Sequence, residues 1–227
     1  MARLALVVSY DGAELAGSQV QPGERTAQGE LERSLRFLAP GWTGRSVFAG
    51  RTDRGVHAAG QVVSLEDIRP DLAVEVIRRA VNSRLPGDVA VRSVSRVGDG
   101  FDARRDARWR EYRYRIWFGN DEPLARRFVW RRPGRPDLAA MAVAAAAFAG
   151  THDFAAFAGG GEGVPGSARS QRPRGTVRTM FASEIRAIAP WWGPAAGADG
   201  VLVEYRVAGD GFLPQMVRAL VSGVVAA

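Results

Sequence analysis

The sequence contains no cysteine and no lysine, and only two of its 227 residues are histidine. The lack of cysteine excludes disulfides and thiolate chemistry. With His57 and His152 as its only imidazoles, the chain has few of the usual zinc ligands, so we expect no metal. No apolar run is long enough to span a membrane. The first apolar run turns acidic at Asp11, too soon for a signal peptide, and we therefore expect a cytoplasmic protein.

The basic residues are all of one kind. The chain has 31 basic residues, every one of them arginine, against 24 acidic residues, which gives a net charge of +7 and a pI near 10.9. Arginine presents a planar fork that suits phosphate and also stacks on bases. Genome composition is an alternative explanation for the missing lysine, since the chain is rich in Ala, Gly and Val, but it does not explain the net charge. The composition therefore favours a nucleic-acid partner.

Apolar periodicity divides the chain into two predicted α/β halves, residues 1–105 and 106–227. In the first half, apolar runs and turn signals predict the order β-α-β-β-α-β, which is the split βαβ pattern. Thr26 is the predicted N-cap of the first helix. The second helix is expected to place four apolar residues on its core side: Leu72, Val76, Ala80 and Val81.

The second half is predicted as β-β-α-β-β-α, with Asp137 capping its first helix. If this half repeats the first, one closing strand is absent, and the last apolar helix has no C-cap, so we expect a chain truncated at its C-terminal end. The expected fold class is α+β. It would consist of two split-βαβ halves, ferredoxin- or RRM-like, with mainly antiparallel sheets joined into a central sheet and an active-site cleft between the halves.

The stretch "VFAGRTDRGVHAAGQ" concentrates charge in a predicted loop between two strands. Asp53 lies between Arg51 and Arg54, with Gly50 and Gly55 on either side. An aspartate in a loop usually serves as a turn residue that bonds nearby backbone amides. Alternatively, the two arginines favour the ionised carboxylate, which can then act as a nucleophile. The glycines would let a ligand approach the backbone closely.

A second basic region surrounds a strand with alternating aromatic residues. From Phe101 to Pro136 the sequence has eleven arginines against five acidic residues. Tyr112 and Tyr114 fall on one face of the strand that runs from Arg108 to Phe118. Basic strands with interleaved aromatics suit RNA, because arginines meet phosphates and rings stack on splayed bases. An ordinary amphipathic strand with one core face is the alternative.

The loop and several other segments, in order, resemble the TruA family of tRNA pseudouridine synthases. "GRTDRGVH" meets every fixed position of that family's G-R-T-D-x-G-V-H motif. The other similar segments are "YDG", "TAQGELERSL", "VNSRLPGDVAV", "FDARRDARWREYRYRI", "GTHDFAAF" and "GFLPQMVRALV". The similarity therefore runs over almost the whole chain.

The resemblance implies roles for individual residues. Asp53 matches the family's essential aspartate, and Tyr112 matches the tyrosine that stacks on the target base. Arg51 matches the arginine beside the nucleophile, and Arg218 matches a helix arginine that pairs with the aspartate. The other residues expected to contact the substrate are Arg54, His57, Arg104 and Tyr114, together with Arg169, Arg172 and Arg174 in a Gly-, Pro- and Arg-rich loop.

The resemblance also implies a reaction and a partner. The family rotates uridine in RNA by breaking the N1–C1′ bond and forming C5–C1′. It acts on the anticodon stem-loop of tRNA at nucleotides 38, 39 and 40, works as a homodimer, and uses neither a metal nor an organic cofactor. The expected enzyme is therefore an RNA-uridine isomerase.

The sequence departs from the family at Ser18, where a tryptophan is common, and in the missing C-terminal segment, which puts dimerisation in doubt. A non-catalytic tRNA-binding or tRNA-folding module is the main alternative function, since the basic features fit it equally well. Binding alone does not need Asp53, whose negative charge should weaken phosphate binding. A phosphoryl-transfer enzyme is a third, more distant alternative, and no set of metal-binding carboxylates accompanies it.

Overall fold

The computed structural model describes residues 2–159, 175–193 and 200–227. The chain divides into two compact units, Met1–Ala107 and Arg108–Ala227. Each unit is built around its own hydrophobic cluster. The predicted α+β class with mainly antiparallel sheets is confirmed. The joining of the two sheets and the cleft between the halves stay predictions.

The first unit is a four-stranded antiparallel sheet with two helices packed on it. Its spatial strand order is β2-β3-β1-β4. Leu4, Leu6 and Val8 alternate along the central strand β1 and are fully buried, together with Leu31 and Ile77 of the helices. The elements follow the predicted order: β1 (Arg3–Tyr10), α1 (Ala27–Leu38), β2 (Val47–Phe48), β3 (Ala58–Glu66), α2 (Val74–Asn82) and β4 (Val89–Val97).

The predicted core side of the second helix is partly wrong. Val81 is fully buried as expected, but Val76 is 37% exposed, and Ile77 occupies the core in its place. Leu72 lies before the first residue of α2 and packs against the same cluster from outside the helix. Ala80 is half-buried. Because Leu72 lies outside the helix, spacing counted from it misplaced the core face, which Ile77 and Val81 form four residues apart.

The second unit is a five-stranded sheet with helices α3 and α4 on one face. Its strand order is β6-β5-β9-β8-β7, and all neighbours are antiparallel except the pair β5 and β6. Its described elements are β5 (Arg110–Phe118), β6 (Trp130–Arg132), α3 (Leu138–Ala146), β7 (Gly150–Asp153), a 3-10 helix (Ala155–Phe157), β8 (Val177–Ile188), β9 (Val201–Gly209) and α4 (Met216–Val225).

The predicted order β-β-α-β-β-α is therefore wrong at one place, because it lacks strand β7. All four residues of β7, Gly-Thr-His-Asp, are exposed. None of them is a large apolar residue, so the sequence shows no apolar alternation that would predict a strand. Strand β7 pairs with β8 from Asp153↔Val177 to Gly150↔Met180 and forms an edge of the sheet.

Candidate active site

Asp53 lies at the first position of a tight turn in the loop between β2 and β3. The Val56 amide donates to the Asp53 carbonyl at 3.2 Å, and Gly55, at the third position of the turn, has a φ of 81°. A positive φ at that position is typical of a type II turn and favours glycine. Asp53 itself is exposed. The turn therefore presents the aspartate at the surface of the first unit.

Thr52, directly before Asp53, is held by several hydrogen bonds. Its amide donates to the Ser18 hydroxyl at 2.9 Å, and its carbonyl accepts from the Ser18 amide at 3.0 Å. Its hydroxyl lies 2.8 Å from the Tyr10 hydroxyl. Burial raises the pKa of Tyr10 more than its hydrogen bonds to Thr52 and Gln61 lower it. Tyr10 is therefore a neutral structural partner near pH 7.

Gln61 fixes the start of the same loop. Its side-chain amide donates to the Gly50 carbonyl at 2.8 Å and accepts from the Gly50 amide at 3.2 Å. The Gln61 side chain both donates to and accepts from the Gly50 backbone, as a neighbouring strand would. These two bonds fix where the loop begins relative to β3. The loop thus leaves the sheet at a defined place.

His57 closes the loop at its other end. Its Nδ1 lies 3.1 Å from the Gly12 amide and 2.9 Å from Asp11 Oδ1. An Nδ1 without a proton accepts from Gly12, and an Nδ1 that carries one donates to Asp11. In both states His57 attaches the loop to the turn after β1, so the structure gives it a role in holding the loop.

The candidate site is a polar pocket of about 340 Å³ in the first unit. Arg51, Asp53 and Arg54 all line it, so the structure brings these three predicted residues together. The Arg54 guanidinium also pairs with Glu24 at 2.9 Å. The remaining lining residues are Ala16, Gln19, Gln21 and Thr52. Arginine side chains on such a pocket can bind phosphate through charge-assisted hydrogen bonds.

A larger pocket of about 480 Å³ in the same unit is a weaker candidate. It lies beside Leu38, Trp42 and Ile68, and its lining is mainly apolar. Its Asp67 is committed to Arg96, whose Nε is 2.7 Å away. The smaller pocket is the candidate active site because it contains the motif residues.

Arg104 lies on a separate turn of the first unit. Asp102 accepts hydrogen bonds from the Arg104 and Arg105 amides, both at 2.9 Å. Between them Ala103 is buried, and its amide donates to the Ser64 hydroxyl on β3 at 3.0 Å. The small buried residue anchors the turn to the sheet, and Arg104 beside it is exposed.

The second unit carries the other predicted residues. Tyr112 and Tyr114 face the helices on β5, where Tyr112 packs edge-on against Phe212 at 4.9 Å and Tyr114 against Trp130 at 6.2 Å. Arg218 is exposed on α4. The predicted contacts Arg169, Arg172 and Arg174 lie outside the described residues.

The pattern of the sequence did not predict the partners of the loop. Tyr10, Gly12 and Gln61 stand in the quoted segments "YDG" and "VFAGRTDRGVHAAGQ", so these segments were a signal that the residues matter. Ser18 stands out in the sequence only as a departure from the family. Within the described ranges, no group of three or more His, Asp or Glu side chains could hold a metal ion. No helix there has the length and apolar content to cross a membrane.

The fold and the pocket alone do not name an activity, and comparisons with known proteins identify the family. A family profile described as "tRNA pseudouridine synthase" matches residues 6–105 and 144–227. The chain therefore belongs to the tRNA pseudouridine synthase family, whose members are isomerases.

Similar curated proteins cover nearly the whole chain. A tRNA pseudouridine synthase A of Geobacillus kaustophilus is 36% identical over 98% of this chain and 79% of its own length. That of Nitratidesulfovibrio vulgaris is 40% identical over 100% of this chain and 86% of its own. A solved structure, an unknown protein from Galdieria sulphuraria, covers 98% of this chain and 88% of its own at 14% identity with a TM-score of 0.23. A TM-score of that size does not establish a shared fold.

Proposed function

We propose that this chain converts uridine to pseudouridine in the anticodon stem-loop of tRNA, at positions 38, 39 and 40, with Asp53 as the nucleophile. The observation that carries the proposal is the placement of Asp53. Its carboxylate follows a residue fixed by three hydrogen bonds and lines a pocket together with Arg51 and Arg54. Membership of the family supports the choice of tRNA as substrate.

The proposed chemistry needs no redox step and no net hydrolysis. The Asp53 carboxylate adds either to C6 of the uracil or to C1′ of the ribose, while the N1–C1′ bond breaks. The base turns, the C5–C1′ bond forms, and the carboxylate leaves again. C5 loses its hydrogen as a proton and N1 takes up a proton, so the net change is an isomerisation. A carboxylate suits this reaction because it is both a nucleophile and a leaving group.

The target base must leave its stack before Asp53 can reach it. We infer that Arg51 and Arg54 bind the phosphates around the flipped nucleotide, because both residues line the pocket and arginine suits phosphate. The roles proposed for Tyr112, which supports the flipped ring, and for Arg218, which pairs with the carboxylate, come from the family resemblance. His57 is proposed to act through the loop, given its contacts with Gly12 and Asp11.

Further contacts and the setting of the enzyme are also proposals. We propose that tRNA also contacts Arg104, Tyr114, Arg169, Arg172 and Arg174. The net positive charge of the chain and the exposed position of Arg104 on its turn support this proposal. A homodimer in the cytoplasm is proposed from the family resemblance.

The decisive experiment measures tritium release from tRNA that carries uridine labelled at C5. Asp53→Ala and Asp53→Asn are expected to lower the release rate by at least about a thousandfold, the loss typical of a missing nucleophile. tRNA affinity should stay within about threefold, because removal of a negative charge does not weaken phosphate binding.

Asp71→Asn is the matched control, since Asp71 is an exposed aspartate of the same unit that pairs with Arg69. It should release tritium at the wild-type rate. A wild-type chain that binds tRNA tightly but releases no tritium would favour the binding module instead. Full release by both Asp53 variants would reject Asp53 as the nucleophile.

A further inference from the structure

Ser18 is buried beside the loop that carries Asp53, with 1% of its surface exposed. Its hydroxyl accepts a hydrogen bond from the Thr52 amide at 2.9 Å. Its own amide donates to the Thr52 carbonyl at 3.0 Å. One serine therefore pairs with both backbone groups of the residue that precedes Asp53, and the bond to the Thr52 amide depends on the serine side chain.

The same segment is fixed on its other side to the first turn of α1. The Ser18 carbonyl accepts from the Gln28 amide at 3.0 Å, and the Gly17 carbonyl accepts from the Ala27 amide at 3.2 Å. These amides belong to the start of the helix, where no partner within the helix is available. Residues 17 and 18 thus form a bridge between a helix packed in the core and the loop.

The approach of this bridge to the loop is close. Gly17 has a φ of 106°, and a Cβ at that position would lie 2.7 Å from the Thr52 carbonyl oxygen. A side chain that can only donate, such as an indole, could not take the place of the Ser18 hydroxyl here. The acceptor for the Thr52 amide is therefore supplied by the serine of this chain.

We propose that Ser18 is a positioning residue for catalysis, whose hydroxyl fixes the peptide before Asp53 and thereby the direction of the Asp53 carboxylate. This inference rests on the proposed function. Without the acceptor, the Thr52 amide loses its partner and the peptide can rotate, while the pocket arginines that meet RNA stay in place. The chemical step should suffer and tRNA binding should not, because small displacements of a reacting group strongly reduce the rate.

The test compares Ser18→Ala and Ser18→Cys with Ser34→Ala in tritium release under single turnover, in tRNA binding and in thermal unfolding. Ser34 is the matched control, since it is a buried serine of the same unit, 3% exposed, and donates to the Val81 carbonyl at 2.7 Å. Cysteine nearly keeps the size of serine but is a weak acceptor. Hydrogen exchange of the Thr52 amide, read by NMR, reports the proposed bond directly.

Both Ser18 variants are expected to lose about tenfold in the rate of the chemical step, equivalent to about 1.4 kcal/mol, with tRNA affinity within about twofold. Their Thr52 amide should exchange at least about tenfold faster, whereas Ser34→Ala should keep the wild-type rate and exchange. This combination would support the positioning role.

Four results would overturn it. A wild-type rate in Ser18→Cys would show that volume matters rather than the acceptor. An equal rate loss in Ser34→Ala would show a general loss of stability. Faster Thr52 exchange without a change in rate would show that the bond exists but does not serve catalysis. A wild-type chain that binds tRNA without releasing tritium would refute the proposed reaction and the positioning role with it, while the exchange data would still report the bond.

Discussion

Gly12 stands where the turn after β1 meets the loop that carries Asp53. A Cβ at this position would lie 2.1 Å from the Val56 carbonyl oxygen. Its amide also donates to His57 Nδ1. Because the obstructing atom belongs to the backbone, a side chain here must push the loop away rather than displace a flexible neighbour.

We expect Gly12→Ala to destabilise the first unit by about 1–3 kcal/mol through overpacking and to reduce tritium release. Gly60→Ala is the control, because the nearest atom to its added Cβ is Val7 Cγ1 at an ordinary 3.8 Å. Denaturant unfolding and tritium release measure the two effects. Equal behaviour of the two variants would contradict the close contact between Gly12 and Val56.

The candidate site was predictable from sequence at some residues and not at others. Arg51, Asp53 and Arg54 are neighbours in the chain; their density raised a site and a simple turn as alternatives, the family motif favoured the site, and the structure places them on one pocket. Ser18 and Gln61 contact the loop through side-chain hydrogen bonds to Thr52 and Gly50, which are distant from them in the sequence. No periodic pattern encodes such contacts, because they depend on how distant segments pack.

At the scale of elements, helix caps were read correctly where a side chain supplies the bond. The Thr26 side chain accepts from the Gly29 amide, and Asp137 accepts from the Ala139 and Ala140 amides. Val76 was misplaced because apolar spacing defines a face only within the true bounds of the helix. Strand β7 was not predicted because its own composition does not favour a strand. Its pairing with β8 makes it one.

Helix α2 has no side-chain cap, because its N-cap residue is Ala73. The backbone at Ala73 is extended, with φ −62° and ψ 144°, which is the conformation that a capping residue needs. Ala73→Ser should therefore stabilise the first unit by about 0.5–1 kcal/mol, and Asp137→Ala should destabilise the second unit by about 1 kcal/mol. Chemical denaturation of each variant measures both changes. The cap assignment fails if the two substitutions shift stability in the same direction.

At the scale of the whole molecule, many of the arginines that produce the net charge of +7 also stabilise carboxylates. Glu204, 1% exposed, lies 2.7 Å from Arg186 and 3.2 Å from Arg115. Burial raises its pKa, but these guanidinium bonds outweigh burial and leave the pKa below its ordinary value. In the first unit, a bidentate bond from Arg25 lowers the pKa of Asp88.

A carboxylate whose pKa is depressed in the folded state contributes stability above its unfolded pKa, about 4.3 for Glu and 3.9 for Asp. That contribution is lost as the pH falls through the lower folded pKa, because the unfolded state then binds more protons. The stability of both units should therefore be constant with respect to these groups above about pH 5 and fall steadily below about pH 4.

Glu204→Gln tests this assignment for the second unit. At pH 7 the variant should be less stable by about 2 kcal/mol, because buried hydrogen bonds to charged partners are weakened. It should also lose less stability than the wild type between pH 5 and pH 3, since the group that takes up the proton is gone. Glu184→Gln, at a glutamate 56% exposed and bonded to Arg206, should change neither value appreciably. Unfolding by urea at several pH values measures both, and an acid loss in Glu204→Gln as large as that of the wild type would show that other carboxylates govern acid stability.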